Sequence, residues 1–176
     1  EFSTTTNGRE KMQFQLAAWR PGRYELANFS QNIQKWGAFD ENQNPLSFKK
    51  ITKDLWEVET KNTMEITIKY SFYANQLDAG ACYLDEHQLY LNPVHCMFYI
   101  VNRMEEEYNV QLEIPKNYKI ASSMKKNGNI LSVKGYDLLA ESPIICSNNL
   151  QHGTYDVNGI TFHLWFQGEC KLDWNK

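Results

Sequence analysis

Met64-Glu65-Ile66-Thr67-Ile68-Lys69-Tyr70-Ser71-Phe72 alternates apolar and polar side chains without a break. Successive side chains of a strand point to opposite faces, so this stretch puts one face on a core and the other toward water. Met12-Gln13-Phe14-Gln15-Leu16, Tyr108 to Ile114 and Ile160 to Phe166 repeat the pattern. Phe14, Tyr70, Phe72 and Phe162 fall on the alternating apolar faces and are expected in a core. Shorter strands are expected over 33–39, 46–51, 55–60, 89–91, 97–101 and 130–133. Turn chemistry separates them: Asn7-Gly8, Asp40 to Pro45, Asn127-Gly128-Asn129 and Asn158-Gly159, where Asn and Gly tolerate positive φ. The one helical segment is Tyr136 to Ala140, ended before Pro143. Short strands punctuated this regularly predict an all-β fold, an antiparallel β-sandwich forming one domain over 1–176.

Composition supports that reading and removes other classes. Hydrophobic residues make up 42% of the 176 positions and aromatics 14%, enough for a core without metals or disulfides. The net charge of −3 argues against nucleic-acid binding, which needs a basic face. No apolar run approaches the ~20 residues of a membrane helix, and no basic-then-apolar leader opens the chain. Cys82, Cys96, Cys146 and Cys170 form no Cys-x-x-Cys pair. Reduced, buried thiols are expected, and with no leader or membrane segment in view a cytoplasmic location is slightly favoured.

The catalytic motifs are missing. The histidines stand at 87, 95, 152 and 163, with no His-Glu-x-x-His pair, and neither a Gly-x-Ser-x-Gly elbow nor a Walker-type phosphate loop occurs. His87 and His95 with Asp85 and Glu86 are a conceivable metal cluster, although loop carboxylates are more often simply solvated. Asp78, Asp85 and Glu86 lack an assignable opposing carboxylate for glycoside chemistry. Glu105-Glu106-Glu107 reads as a solubilising turn, His163 as a solvated strand residue, and Asn28-Phe29-Ser30 matches the N-glycosylation pattern.

One segment is more particular: Ala18-Trp19-Arg20-Pro21-Gly22-Arg23-Tyr24, followed by Glu25 to Ser30. It resembles the Trp-x-Pro-Gly-x-Tyr signature near the start of the glycyl aminopeptidase family of gluzincin-type zinc metallopeptidases. Ala81-Cys82-Tyr83-Leu84-Asp85 resembles that family's Ala-Tyr-Leu-Asp segment, and Leu91-Asn92-Pro93 its Asn-bearing strand end. Tyr136-Asp137-Leu138-Leu139 with Ser142-Pro143 is similar to its Tyr-Asp-x-Leu…Asp-Ser-Pro stretch, with Glu141 where Asp is usual.

The resemblance implies an N-terminal β-sandwich whose catalytic domain, with zinc and His-Glu-x-x-His, and often a PDZ domain, lie elsewhere in a longer polypeptide. This part would then hold no cofactor and cleave nothing, while the whole removes small N-terminal residues from peptides. Its partners are that catalytic domain and a peptide N-terminus, without nucleic acid or membrane. By analogy Asn92 is the candidate for holding the substrate amine, since an amide oxygen accepts from an ammonium group. Pro93 would end the strand there, and Tyr83, Asp85 and Glu86 are weaker candidates on the same rim. Trp19, Pro21, Gly22 and Tyr24 are expected to form a structural turn covering core or interdomain surface, with Arg20 and Arg23 projecting. The alternative is a free-standing carbohydrate- or protein-binding sandwich, which five Trp and ten Tyr residues keep open.

Overall fold

The computed structural model describes residues 1–20, 22–23, 25–169 and 171. Pro21 and Tyr24 of the expected turn, and Cys170, lie outside the described residues. The chain runs β1 (Phe2–Thr5), β2 (Lys11–Leu16), β3 (Ile33–Asp40), β4 (Phe48–Lys50), β5 (Leu55–Glu59), β6 (Glu65–Phe72), β7 (Tyr83–Leu84) and β8 (Gln88–Leu91). It continues through α1 (Pro93–Cys96), β9 (Phe98–Ile100), β10 (Glu107–Gln111), β11 (Lys119–Ala121), β12 (Lys125–Asn127) and β13 (Ile130–Lys134). α2 (Tyr136–Ala140), β14 (Ile144–Ser147), β15 (Leu150–Val157) and β16 (Ile160–Gln167) complete it. The strand pairs are antiparallel, so the fold is the expected all-β antiparallel sandwich.

Sheets β1-β6-β3 and β4-β5-β2-β9 enclose one hydrophobic cluster around Phe14, Leu16, Val58, Ile66, Ile68 and Phe98. Sheets β10-β13-β12 and β11-β14-β8-β7, with α2, enclose a second around Leu131, Leu139, Ile144 and Cys146. The nine-residue alternation is used from Ile66 to Tyr70, whereas Met64 precedes β6 and is 72% exposed. Ile66 and Ile68 of β6 are fully buried, while Glu65 and Ser71 face water.

Between the clusters, buried Arg103 clamps β1 to the turn after β9. Its guanidinium donates to Thr5 O (2.7 Å) and Thr4 Oγ1 (2.9 Å) and meets both Glu106 carboxylate oxygens at 2.6 Å. Glu106, itself half exposed, therefore pairs with a buried guanidinium rather than belonging to a purely solubilising acidic run. A paired guanidinium tolerates burial where an unpaired one would not.

Two expectations are corrected. Phe162 is 43% exposed, because among the described residues β16 pairs only with β15 and no second layer covers the face that carries Tyr155, Phe162 and Leu164. β10 ends at Gln111 rather than Ile114, ahead of Pro115, although Leu112 still donates to Asn129 O at 2.9 Å. The β15–β16 turn is Asn158-Gly159 with both φ positive (51° and 79°), as a tight hairpin requires.

This division between covered and uncovered faces is measurable. Phe14→Ala should cost about 3–5 kcal/mol in urea denaturation, the loss typical of a fully buried aromatic. Phe162→Ser should stay within about 1 kcal/mol, having only its stacking on Tyr155 (5.0 Å) to lose.

Candidate functional site

Asn92 follows the last residue of β8, and Pro93 at the next position cannot supply the N–H a continuing ladder would need. The chain turns instead into the single helical turn α1. Asn92 is buried, and its Nδ2 donates to the carbonyl of Ala79 at 3.0 Å. Arg20 Nη1 donates to the same oxygen, also at 3.0 Å. Two segments far apart in sequence, Trp19-Arg20 and Leu91-Asn92, thus meet on one backbone acceptor. Gly80 permits this: a Cβ there would lie 2.4 Å from Arg20 Nη2 and 3.0 Å from Arg23 Nη2.

Asp78 stabilises the same loop. Its carboxylate accepts from the Gly80 N–H at 2.6 Å and from the Gln76 amide. The Gly80 bond, helped by the charges of Arg23 and Arg20, holds it below the usual carboxylate range. Trp19 is half exposed, enters neither cluster, and closes its own turn by donating to Arg23 O at 2.6 Å. Arg23 Nη1 reaches Glu25 at 3.7 Å, so both arginines have acceptors within the chain.

Asp85 and Glu86 stand apart from Asn92, whereas Tyr83 is nearer, pairing with Tyr90 and following Cys82, whose Sγ accepts from the Asn92 N–H. β7 and β8 form a hairpin, and Asp85 sits at its tip, accepting from the His87 and Gln88 N–H groups at 2.8 Å each. Those bonds, the His87 one foremost, lower the Asp85 pKa, while the Asp85 charge raises that of Tyr83. Glu86 is solvated beside His87 (3.5 Å), and its carbonyl accepts from Tyr118 Oη at 2.8 Å. Four strand residues, on the order of 13 Å, separate this tip from Asn92. Among the described residues no three of His, Cys, Asp and Glu gather into a ligand set, so these side chains do not fit a zinc ion. His87 and His95 therefore do not build the conceivable metal cluster with Asp85 and Glu86.

His95, at the end of the segment Leu91 to His95 that the family analogy sets at the cleft, lies on the same rim. Its ring stacks on Phe29 at 3.9 Å, is only 7% exposed, and leaves Nε2 buried without a hydrogen-bond partner. With Cys82, Asp78, Gly80, Arg23 and Phe29 it lines a cavity of about 260 Å³.

The family model for the Peptidase M61 N-terminal domain matches residues 1–148. The chain belongs to that family. The fold of this M61 N-terminal domain is also similar to a crystal structure of an aminopeptidase N family protein from Idiomarina loihiensis, with a TM-score of 0.89 and 23% sequence identity. That likeness covers 98% of this chain but 30% of the other, so the M61 domain spans under a third of its structural neighbour. No curated protein matches. No helix among the described residues is long and apolar enough to cross a membrane.

Burial, then the charge of Arg20, lowers the pKa of His95 from 6.5 to about 4. Between those values the unfolded chain binds a proton that the folded domain excludes, so stability rises with pH across that window. It is complete above about 6.5 and is lost as the pH falls toward 4, by about 3 kcal/mol at most. Urea denaturation at pH 7 and pH 4.5 should show this loss, and His95→Phe should flatten it. An unchanged slope in that variant would assign the acid sensitivity to other groups.

Proposed function

We propose that this M61 N-terminal domain is the non-catalytic part of a zinc aminopeptidase, docking on a catalytic domain of the same polypeptide and forming one wall of its substrate cleft. The family match and the absence of a ligand set among the described residues support a domain that holds no metal itself. Peptides with small N-terminal residues, such as Gly or Ala, are the proposed substrates of the whole protein. Asn92 is the residue proposed to receive the peptide's free amine.

The observation that carries the assignment is the polarity of the Asn92 amide. The Ala79 carbonyl can only accept, so the Asn92 NH₂ must face it. That orientation makes Oδ1 the amide's remaining acceptor, at a strand end whose direction Pro93 fixes. An ammonium group needs such an acceptor. Asp85 and Glu86 are more distant parts of the wall at the tip of the β7–β8 hairpin, with Tyr83 nearer the rim, and the bond from Trp19 to Arg23 O closes the turn that carries Arg20.

In the full-length enzyme, Asn92→Ala should lower kcat/KM for unblocked peptides by about 10- to 100-fold, the loss expected for one hydrogen bond to a charged group. Wild-type kinetics would remove Asn92 from the cleft. The purified 176-residue chain should cleave no peptide, and detectable aminopeptidase activity in it would overturn the non-catalytic reading.

A further inference from the structure

We propose that Cys82 and Cys96 form a redox-responsive dithiol, closed to a disulfide by a peroxide entering through the cavity that Cys82 lines. The two thiols share one acceptor: each Sγ lies 3.6 Å from the carbonyl oxygen of Asn92. Cys82 Sγ also accepts from the Asn92 N–H at 3.3 Å. Both are buried, one in the loop before β7 and the other on α1, so neither is drawn away by solvent. Cys146 is buried in the second hydrophobic cluster, apart from this pair.

The pair is also chemically unequal. A hydrogen bond from Cys96 lowers the pKa of Cys82, while that same bond, followed by burial, raises that of Cys96. Thiolate character and access select the attacking sulfur, and Cys82 has both, since it lines the 260 Å³ cavity with Asp78, Gly80 and His95. Its sulfur gives up its proton and attacks one peroxide oxygen, the O–O bond breaks, and the departing hydroxide takes up that released proton and leaves as water. The resulting sulfenic acid is attacked by Cys96. Its S–O bond breaks, and the leaving hydroxide carries off the Cys96 proton as a second water. Two thiols have lost two electrons and one peroxide has gained them.

The bond would join the loop carrying Ala79 to the helical turn after Asn92, fixing the rim from both sides. This does not rest on the peptidase reading. Hydrogen peroxide treatment of the folded 176-residue chain, followed by alkylation in denaturant and peptide mass spectrometry, tests it directly. The expected result is a Cys82–Cys96 linked peptide, loss of two alkylatable thiols, reversal by dithiothreitol, and a raised Tm of the oxidised chain. Cys82→Ser should abolish the link and Cys146→Ser should leave it intact. The wild-type peptide map stands alone if a variant fails to fold. Retention of all four thiols, sulfinic acid without a crosslink, or a crosslink through Cys146 or Cys170 would each overturn the proposal.

Discussion

The pairing of β9 with β2 holds the rest of the molecule in place. β9 has three residues, and they face two cores: Phe98 and Ile100 enter the first cluster, while Tyr99 packs against the second and meets Tyr136 at 4.7 Å. Its partner is used in the same way, with Phe14 opposite Ile100, Leu16 opposite Phe98 and Gln15 opposite Tyr99. A one-residue slip would exchange the two faces and drive the Tyr99 phenol into the apolar first cluster. Neither cluster can shift without the other. The residues before β9 inherit this constraint. Tyr70 Oη donates to Cys96 O at 2.6 Å and Tyr136 Oη to Met97 O at 3.1 Å, so a phenol from each cluster grips the chain where α1 joins β9. Burial drives both phenols far above their usual pKa, so at neutral pH both remain donors.

α1 places Asn92 and His95, so the candidate site lies at the end of a chain of constraint that begins in the first core. The other half of the rim arrives from a different direction. The segment 73–82 leaves β6 and passes under Arg20, and it is held there by the Asp78 carboxylate and by two donors on the Ala79 carbonyl. One unsubstituted Cα, at Gly80, lets two guanidinium groups approach the loop. The site therefore depends on backbone carbonyls and a missing side chain as much as on functional groups.

This explains what could be read from the sequence. Period-two alternation found β2, β6 and β16 because each spends alternate side chains on opposite faces, and Pro143 and the preceding apolar residues marked α2. β14 escaped because Ile144-Ile145-Cys146-Ser147 has no alternation, being buried or half-buried throughout. β12 escaped for the opposite reason: Lys125-Lys126-Asn127 is an exposed edge with nothing apolar to reveal it. In β16 the pattern gave the strand but not its surroundings, since alternation records which side is apolar and not whether anything lies against it. At the rim, Asn92 could be singled out by its place before Pro93, but its bond to Ala79 has no sequence signature because the acceptor is a main-chain oxygen. The Cys82–Cys96 approach is equally hidden, as their spacing matches no local motif.

The polar groups at the rim are the least comfortable part of the structure. His95 is held neutral with one ring nitrogen unbonded, and two thiols compete for one carbonyl, whereas Arg103 near the other end of β9 satisfies its guanidinium on Thr4, Thr5 and Glu106. His95 and Arg103, both buried, thus lie at opposite extremes. Arg103 sits where the clusters are joined, and an unsatisfied group there would weaken both. His95 sits beside a cavity, where incomplete bonding is confined to a loop and one helical turn. Local rules tend to be broken where a site needs groups that are not already spoken for by the fold. By that criterion the Asn92–His95 turn, and not the well-bonded acidic tip at Asp85, is where this domain has reactive capacity to offer.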